Sequence, residues 1–438
     1  MSLGRKDKEK QDPIWIPYNQ APRSPGHPFY EKLNELLKKD GFDPWVEDLC
    51  AKYFKEKGRR SIPPGVYFRM LMIGYFESIV SERAIAWRCA DSMSLRSFLG
   101  YGIQEATPDH SSLTVWRQRL DLEIYQAVFD RVLKLVDAKG LLDGSRLGVD
   151  ATTVEAHAAM RSIVRKDTRE SYRDYVDRLA EEAGEKAPLS ASERVRFDRK
   201  RKGKKTSNKE WESPTDPDSR VGRMKDGRTR LSYKAENAVD LKTSIIVSAR
   251  IEHGDQADTA TLLPTIETAE KNLRRVNKKR KILDVVADKG YHKAALIKEL
   301  NWKRGITTYI PERETKGRRK WKGDERARTE FHLNRQRCKR EHGKALGRKR
   351  ANLVERAFAH LCGTGGMRRF TTRGLDNGQK RYLIQALAYN LGVLMRKMHG
   401  IGTPRSPRER ALLAYLTLCW LILLSMLIRV VDSEKNDH

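Results

Sequence analysis

The chain has 438 residues, enough for two to three domains at about 150 residues each and for a sizeable core. It carries 88 Lys and Arg against 58 Asp and Glu, a formal charge of +30. That surplus weighs against a plain small-molecule enzyme and for a polyanionic partner: DNA, RNA or an anionic membrane surface.

Residues 1–30 hold Pro13, Pro17, Pro22, Pro25 and Pro28 and read as a flexible arm. The opening residues lack the pattern of a signal peptide. Residues 31–142 read as an all-α domain. Leu33, Leu36 and Leu37 share one helical face. Tyr67 to Ile79 is a strongly apolar helix, and Pro63–Pro64 suit its start. Ser81 with Glu82 opens another. After the Tyr101–Gly102 break, Asp109 or Ser111 can cap a helix over Leu113–Leu120. Short helices joined by a turn, the last bearing Arg117, Gln118 and Arg119, resemble a helix-turn-helix. A helical bundle with a polar face is the alternative.

At Arg146 the texture changes. Arg146–Thr153 reads as a short buried strand ending in Asp150. About 160–230 is a charged insertion with little apolar periodicity, in which Tyr172–Glu182 can form a helix. Leu231–Asp240 and Ser244–Glu252 read as a hairpin pair. Asp258 is placed to cap the helix that follows. Ile282–Asp288 is a near-continuous apolar run, as expected of a strand covered on both faces. A helix to about Leu300, a strand over Ile306–Pro311, a basic linker and a helix over about Ala351–Cys362 complete the series. Mixed strands and helices predict an α/β domain over residues 143–400. The remainder, 401–438, is a tail with an apolar helix.

Two acids, Asp150 and Asp288, stand at the ends of apolar strands, where open α/β sheets place their ligand sites. On neighbouring strands about 4.8 Å apart, their carboxylates can share divalent ions roughly 3.5–4 Å apart, the arrangement used for phosphoryl transfer. Magnesium suits such a site, because it takes few carboxylates and borrows phosphate oxygens. A lone Asp at a strand end is usually a cap. On the later helix, Ala351, Val354, Phe358 and Leu361 form the core stripe and Glu355 sits at its edge. Cys338 and His342 supply half of a zinc pattern without a partner pair. Neither a GxGxxG nor a P-loop is present.

Several stretches together resemble bacterial insertion-sequence transposases of the DDE superfamily. They are Val149–Ala156, Thr215-Asp216-Pro217-Asp218, Val286–Tyr291, Val354-Glu355-Arg356-Ala357-Phe358, Gly366–Gly374 and Tyr389-Asn390-Leu391. The resemblance spans about residues 28–400. It implies a ribonuclease H-like mixed-sheet catalytic domain behind a helical DNA-binding domain. Asp150, Asp288 and Glu355 would be its metal-binding triad, holding two Mg²⁺ ions, with Mn²⁺ able to replace them. It also implies cutting at the element's terminal inverted repeats, joining to target DNA, a homodimer or larger assembly on DNA, and a place on the nucleoid in the bacterial cytoplasm. The family commonly carries a Lys seven residues after the Glu, and here that position is Cys362. A catalytically decayed or domesticated DNA-binding protein, or a nuclease without strand transfer, are the other readings.

The charge is concentrated. Residues 194–205 hold eight basic residues and one acidic, and residues 313–350 hold sixteen and five. The second run leads into the Glu355 helix and is expected to contact phosphates. Trp211 and Trp321 lie beside these runs and can stack on bases. The DNA-binding candidates are Arg117, Arg119, Arg318, Arg319, Lys320, Arg348, Arg356, Arg368, Arg369 and Arg373. Ala411–Ile428 has 18 residues without a charge, the lower limit for a membrane span. Nothing else in the sequence calls for a membrane, so a buried or self-associating helix is expected there. Five widely spaced cysteines make no disulfide framework and fit a reducing compartment.

Overall fold

The computed structural model describes residues 26–55, 61–102, 104–185, 188–200, 207–224, 226–313, 321, 323–405 and 419–420. Of the arm, only 26–30 falls within them. Of the apolar tail segment 411–428, only Cys419 and Trp420 do, so the expectation of a buried tail helix lies outside the described residues. Among the described residues no helix is long and apolar enough to cross a membrane.

The first part of the chain is helical: α1 (Pro28–Lys39), α2 (Phe42–Cys50), α3 (Pro64–Phe76), α4 (Glu82–Asp91), α5 (Met93–Leu99), α6 (His110–Arg119) and α7 (Leu122–Ala138). Local chemistry sets their starts. Pro63 and Pro64 begin α3, where a missing N–H costs nothing. Ser81 caps α4 by accepting from the Ala84 N–H at 3.1 Å. Asp109, rather than Ser111, caps α6 by accepting from the Ser111 N–H at 2.9 Å. α3 is apolar nearly all round because it is buried on every side, from Gly65 through Phe76 apart from Leu71.

The sheet follows. Its strands are β1 (Arg146–Glu155), β4 (Arg220–Arg223), β5 (Thr229–Asp240), β6 (Ile246–His253), β7 (Asp284–Ala287) and β8 (Thr307–Tyr309); β2 (Val164–Arg165) and β3 (Trp211–Glu212) pair separately. β5 lies between β1 and the pair β4 and β6, and β1, β7 and β8 continue the sheet. β1 and β6 each pair antiparallel with β5, whereas β7 runs parallel to β1 and to β8. The connecting helices are α8 (Tyr172–Glu182), α9 (Ala191–Lys200), α10 (Asp258–Val276), α11 (Ala294–Lys298), α12 (Glu325–Lys339), α13 (Glu341–Gly363) and α14 (Leu375–His399). This mixed sheet with helices packed on it is a ribonuclease H-like fold.

One apolar core runs through both parts, from Phe29 in α1 to Met395 in α14. α14 is buried along most of its length and packs on α3, α7 and β6. It also covers the outer edge of β6 with side-chain amides. Asn390 exchanges two hydrogen bonds with Ile246, and Gln379 receives the Ile251 N–H while donating to Ala249 O. These amides replace a missing strand and close an edge that would otherwise pair with another chain.

Several expectations need correction. Asp150 is not at the end of its strand: β1 continues to Glu155 because the twelve-residue β5 pairs with it throughout. Asp258 does not cap α10; Ala257 holds that place, and Asp258 turns to Lys234 at 2.7 Å. The basic linker before Ala351 is mostly helix, comprising α12 and the first half of α13, with 314–320 and 322 outside the described residues. The charged insertion contains α8, α9 and the β2–β3 pair. Trp211 is buried there between Tyr172 and Tyr175, so it is no stacking platform for bases. Trp321 packs on Phe331.

Candidate active site

The β1–β7 register brings the two aspartates together. Val149 pairs with Ala287, and the next residue on each strand is Asp150 and Asp288. β7 ends there, so the two acids stand where the parallel ladder stops while β1 continues beside β5. The Asp288 side chain caps a short 3₁₀ turn, Lys289–Tyr291, accepting from the Gly290 N–H at 2.6 Å. A Cβ on Gly290 would lie 2.7 Å from Asp288 Oδ1 and against Asp258 Oδ2, so a larger residue there would push both carboxylates aside.

α13 packs against β1, β5 and β7. Gly148 allows the approach, since a Cβ on it would lie 3.0 Å from Arg350 Cγ and 3.1 Å from Val354 Cγ2. Val354 is buried and Glu355, one residue on, is exposed. One turn earlier, Arg350 donates from Nη1 to Asp150 Oδ2 at 2.6 Å. Asn237, opposite Asp150 on β5, is fully buried. Its Oδ1 receives the Tyr382 hydroxyl at 2.9 Å, and its Nδ2 has no hydrogen-bond partner among the described residues.

The other face of the sheet is tied differently. Glu236, opposite Ala151, is fully buried and accepts from Thr261 at 2.5 Å, Thr265 at 2.6 Å and Tyr291 at 3.0 Å. Lys234 lies 3.2 Å from Glu236 and 2.7 Å from Asp258. Burial, and then the charges of Glu236, Asp258 and Asp150, push the Tyr291 phenol far above its ordinary range. This network ties β5 and α10 to the turn that begins at Asp288. Sequence reasoning missed it. The available signal was Lys234 and Glu236 standing as charges among the buried residues of β5.

The motif Thr215–Asp218 also finds a place. Asp216 Oδ1 accepts from Tyr233 Oη at 2.6 Å and from the Gly374 N–H at 3.0 Å, and Asp218 accepts from the Leu375 N–H at 2.9 Å. Together they hold the start of α14.

The basic candidates divide. Arg117 is ion-paired with Glu82, and Arg119 lies 4.9 Å from the centre of the Phe54 ring. Both therefore have partners within the helical part. Arg348 and Arg356 are exposed on α13, and Arg368, Arg369 and Arg373 are exposed on the loop before α14. That loop is joined to the end of β1: Glu155 N–H donates to Arg368 O at 3.0 Å, and Phe370 N–H to Glu155 O at 2.8 Å. Arg318, Arg319 and Lys320 lie outside the described residues. Cys362 is half-buried on α13.

In kind, three carboxylates suit a hard divalent cation. In place, no group of three His, Cys, Asp or Glu among the described residues is arranged to hold a metal ion, and Arg350 stands on Asp150. The structure thus contains the donors without the assembled site.

A ribonuclease H-like sheet with aspartates adjoining on two parallel strands and a Glu-bearing helix over them defines a nucleic-acid-processing protein of the DDE type. The comparisons with known families agree. The model of the Transposase DDE domain matches residues 145–391, more than half of the chain, and that of the Transposase domain (DUF772) matches residues 18–119. The chain belongs to the DDE transposase family, and its substrate is DNA. Neither the comparison with curated proteins nor that with solved structures finds a match.

Proposed function

We propose that the protein cuts the ends of an insertion sequence and joins them to target DNA, with Asp150, Asp288 and Glu355 as its metal-binding triad. The observation that carries this reading is the β1–β7 register, in which Asp150 and Asp288 follow the last ladder pair, with α13 packed over the same strands. Two Mg²⁺ ions, or Mn²⁺, held there supply positive charge against the negative charge that gathers on a phosphate during in-line displacement. The chain's own residues do the rest. Arg350 pairs with Asp150 at 2.6 Å and lends it positive charge. The Glu236 network fixes the turn that carries Asp288. The exposed arginines of α13 and of the loop 366–374 hold the DNA backbone by charge. Residues 31–142 recognise the terminal repeats, residues 143–400 do the chemistry, and two ends are brought together by a dimer or larger assembly.

The test is a cleavage and strand-transfer assay on the element's flanking ends, with and without Mg²⁺. Asp150→Asn and Glu355→Gln are expected to lose cutting by orders of magnitude and to keep DNA binding. Retained cutting by either variant removes that residue from the triad. Cys362, at the position where a Lys is common, favours a second reading as a non-catalytic DNA-binding protein. DNA binding by the unaltered chain without any cutting would establish it.

A further inference from the structure

We infer that the cleft between the helical part and α14 binds a phosphate group, with Arg381 and Arg117 as its cations. The cleft encloses a cavity of about 60 Å³. Its walls come from α3, α4, α6 and α7 on one side and from the loop 366–374 and α14 on the other.

Its charges do not balance. Three cations line it: Arg117, Lys380 and Arg381. Arg117 is paired with Glu82, and Lys380 with Asp376 at 2.6 Å. Glu82 also takes the Thr114 hydroxyl at 2.6 Å. Arg381 makes no ion pair among the described residues, and the only hydrogen bond of its guanidinium there goes to Thr371 Oγ1. Burial pulls the Arg381 guanidinium down to about 10, against a smaller upward effect of Glu82 and with a further downward one from Arg117. Arg381 is half-buried, so part of its desolvation goes uncompensated by any ion pair among the described residues.

Polar atoms around it are also left over. Arg117 Nε, Thr372 Oγ1 and Gln385 Oε1 are buried without a hydrogen-bond partner among the described residues, and Gln385 is only 5% exposed. Such atoms are few in folded proteins and call for an explanation. Two of them, the Arg117 Nε–H and the Thr372 hydroxyl, are donors, and Arg381 keeps N–H groups beyond the one given to Thr371. A guanidinium presents up to five donors in a planar fork that fits phosphate oxygens. An anion with several oxygens would satisfy the donors and the charge together.

Thr371 and Thr372 continue directly from Arg368 and Arg369 and precede Arg373. A DNA backbone held by these exposed arginines would pass the mouth of the cleft. The choice of a DNA phosphate over a free one rests on the transposase reading; the phosphate chemistry itself does not. Because the cleft is walled by both parts of the chain, a phosphate in it would tie the helical part to α14.

The experiment uses the full chain with inorganic phosphate and, separately, an end-derived duplex in EDTA. Phosphate added at constant ionic strength is expected to raise the melting temperature of the unaltered protein, because it binds only the folded state. Arg381→Met, which removes an uncompensated charge and is expected to fold, loses that rise, and Thr372→Val reduces it. In the duplex arm, Arg381→Met lowers the slope of log affinity against log salt by about 0.9, the value for one phosphate contact. An equal phosphate response in all three proteins overturns the site. A response lost in Arg381→Met with an unchanged salt slope supports a phosphate site and overturns the DNA source. If the unaltered chain does not bind the duplex, the transposase reading fails while the phosphate arm still decides the site.

Discussion

The two faces of the sheet at β1 and β5 treat buried charge in opposite ways. On the α10 face, Glu236 is fully buried and its carboxylate is met by Thr261, Thr265, Tyr291 and Lys234. On the α13 face, Asp150 keeps 22% side-chain exposure, and its Oδ2 holds Arg350, which is 14% exposed. A satisfied internal network is rigid and costly to disturb. A partly exposed pair can exchange its cation. The protein therefore anchors the turn after β7 from one face and leaves the aspartate partly exposed on the other, as the proposed metal site requires.

The comparison can be broken from either side. Glu236→Ala leaves Lys234 buried beside unsatisfied hydroxyls and is expected to cost about 3–5 kcal/mol in chemical denaturation. A loss below about 1 kcal/mol would mean that the network does not hold this face. Gly148→Ala places a methyl against Leu241, Arg350 and Val354. It is expected to cost about 1–3 kcal/mol by overpacking and to shift α13 from Asp150, seen as altered hydrogen exchange in β1 and α13. Arg350→Met removes the Asp150 partner and is expected to cost about 1 kcal/mol, because both ends of the pair are partly solvated. A cost equal to that of Glu236→Ala would erase the distinction between the faces.

The smallest effect is one of pH. Burial, then Arg396 and Arg356, hold the His360 imidazole on α13 below its ordinary value of 6.5. The folded state thus binds fewer protons than the unfolded state near that pH. The contribution is present above pH 6.5 and is lost as pH falls through the lowered value. Urea midpoints measured from pH 7.5 to 5.5 should fall less for His360→Gln than for the unaltered chain.

The helices of the first part were legible because their signals are local. Pro63–Pro64, Ser81 and Asp109 act within one turn, and the apolar run of α3 declares its own burial. The strands β5, β6 and β7 were legible for the same reason, through short apolar runs bounded by polar breaks. The helical content of residues 325–350 was not, because its charged surface leaves little apolar periodicity. The fate of Trp211 was not either: an aromatic beside a basic run reads alike whether it packs on Tyr172 and Tyr175 or faces solvent.

By itself the sequence determined most of the element types outside residues 325–350, the charge that points to a polyanion, and the motif order shared with transposases, since each is written in residues close along the chain. Only the tertiary structure decided that Asp150 and Asp288 adjoin and that Arg350, 200 residues from Asp150, pairs with it. It alone decided that Glu236 is anchored by α10 and that Arg381 is half-buried with no ion pair among the described residues. Those outcomes depend on strand register and on which helix face meets the sheet. Periodicities of 2 and 3.6 residues fix a side chain's face but not the distant residue that will stand opposite it.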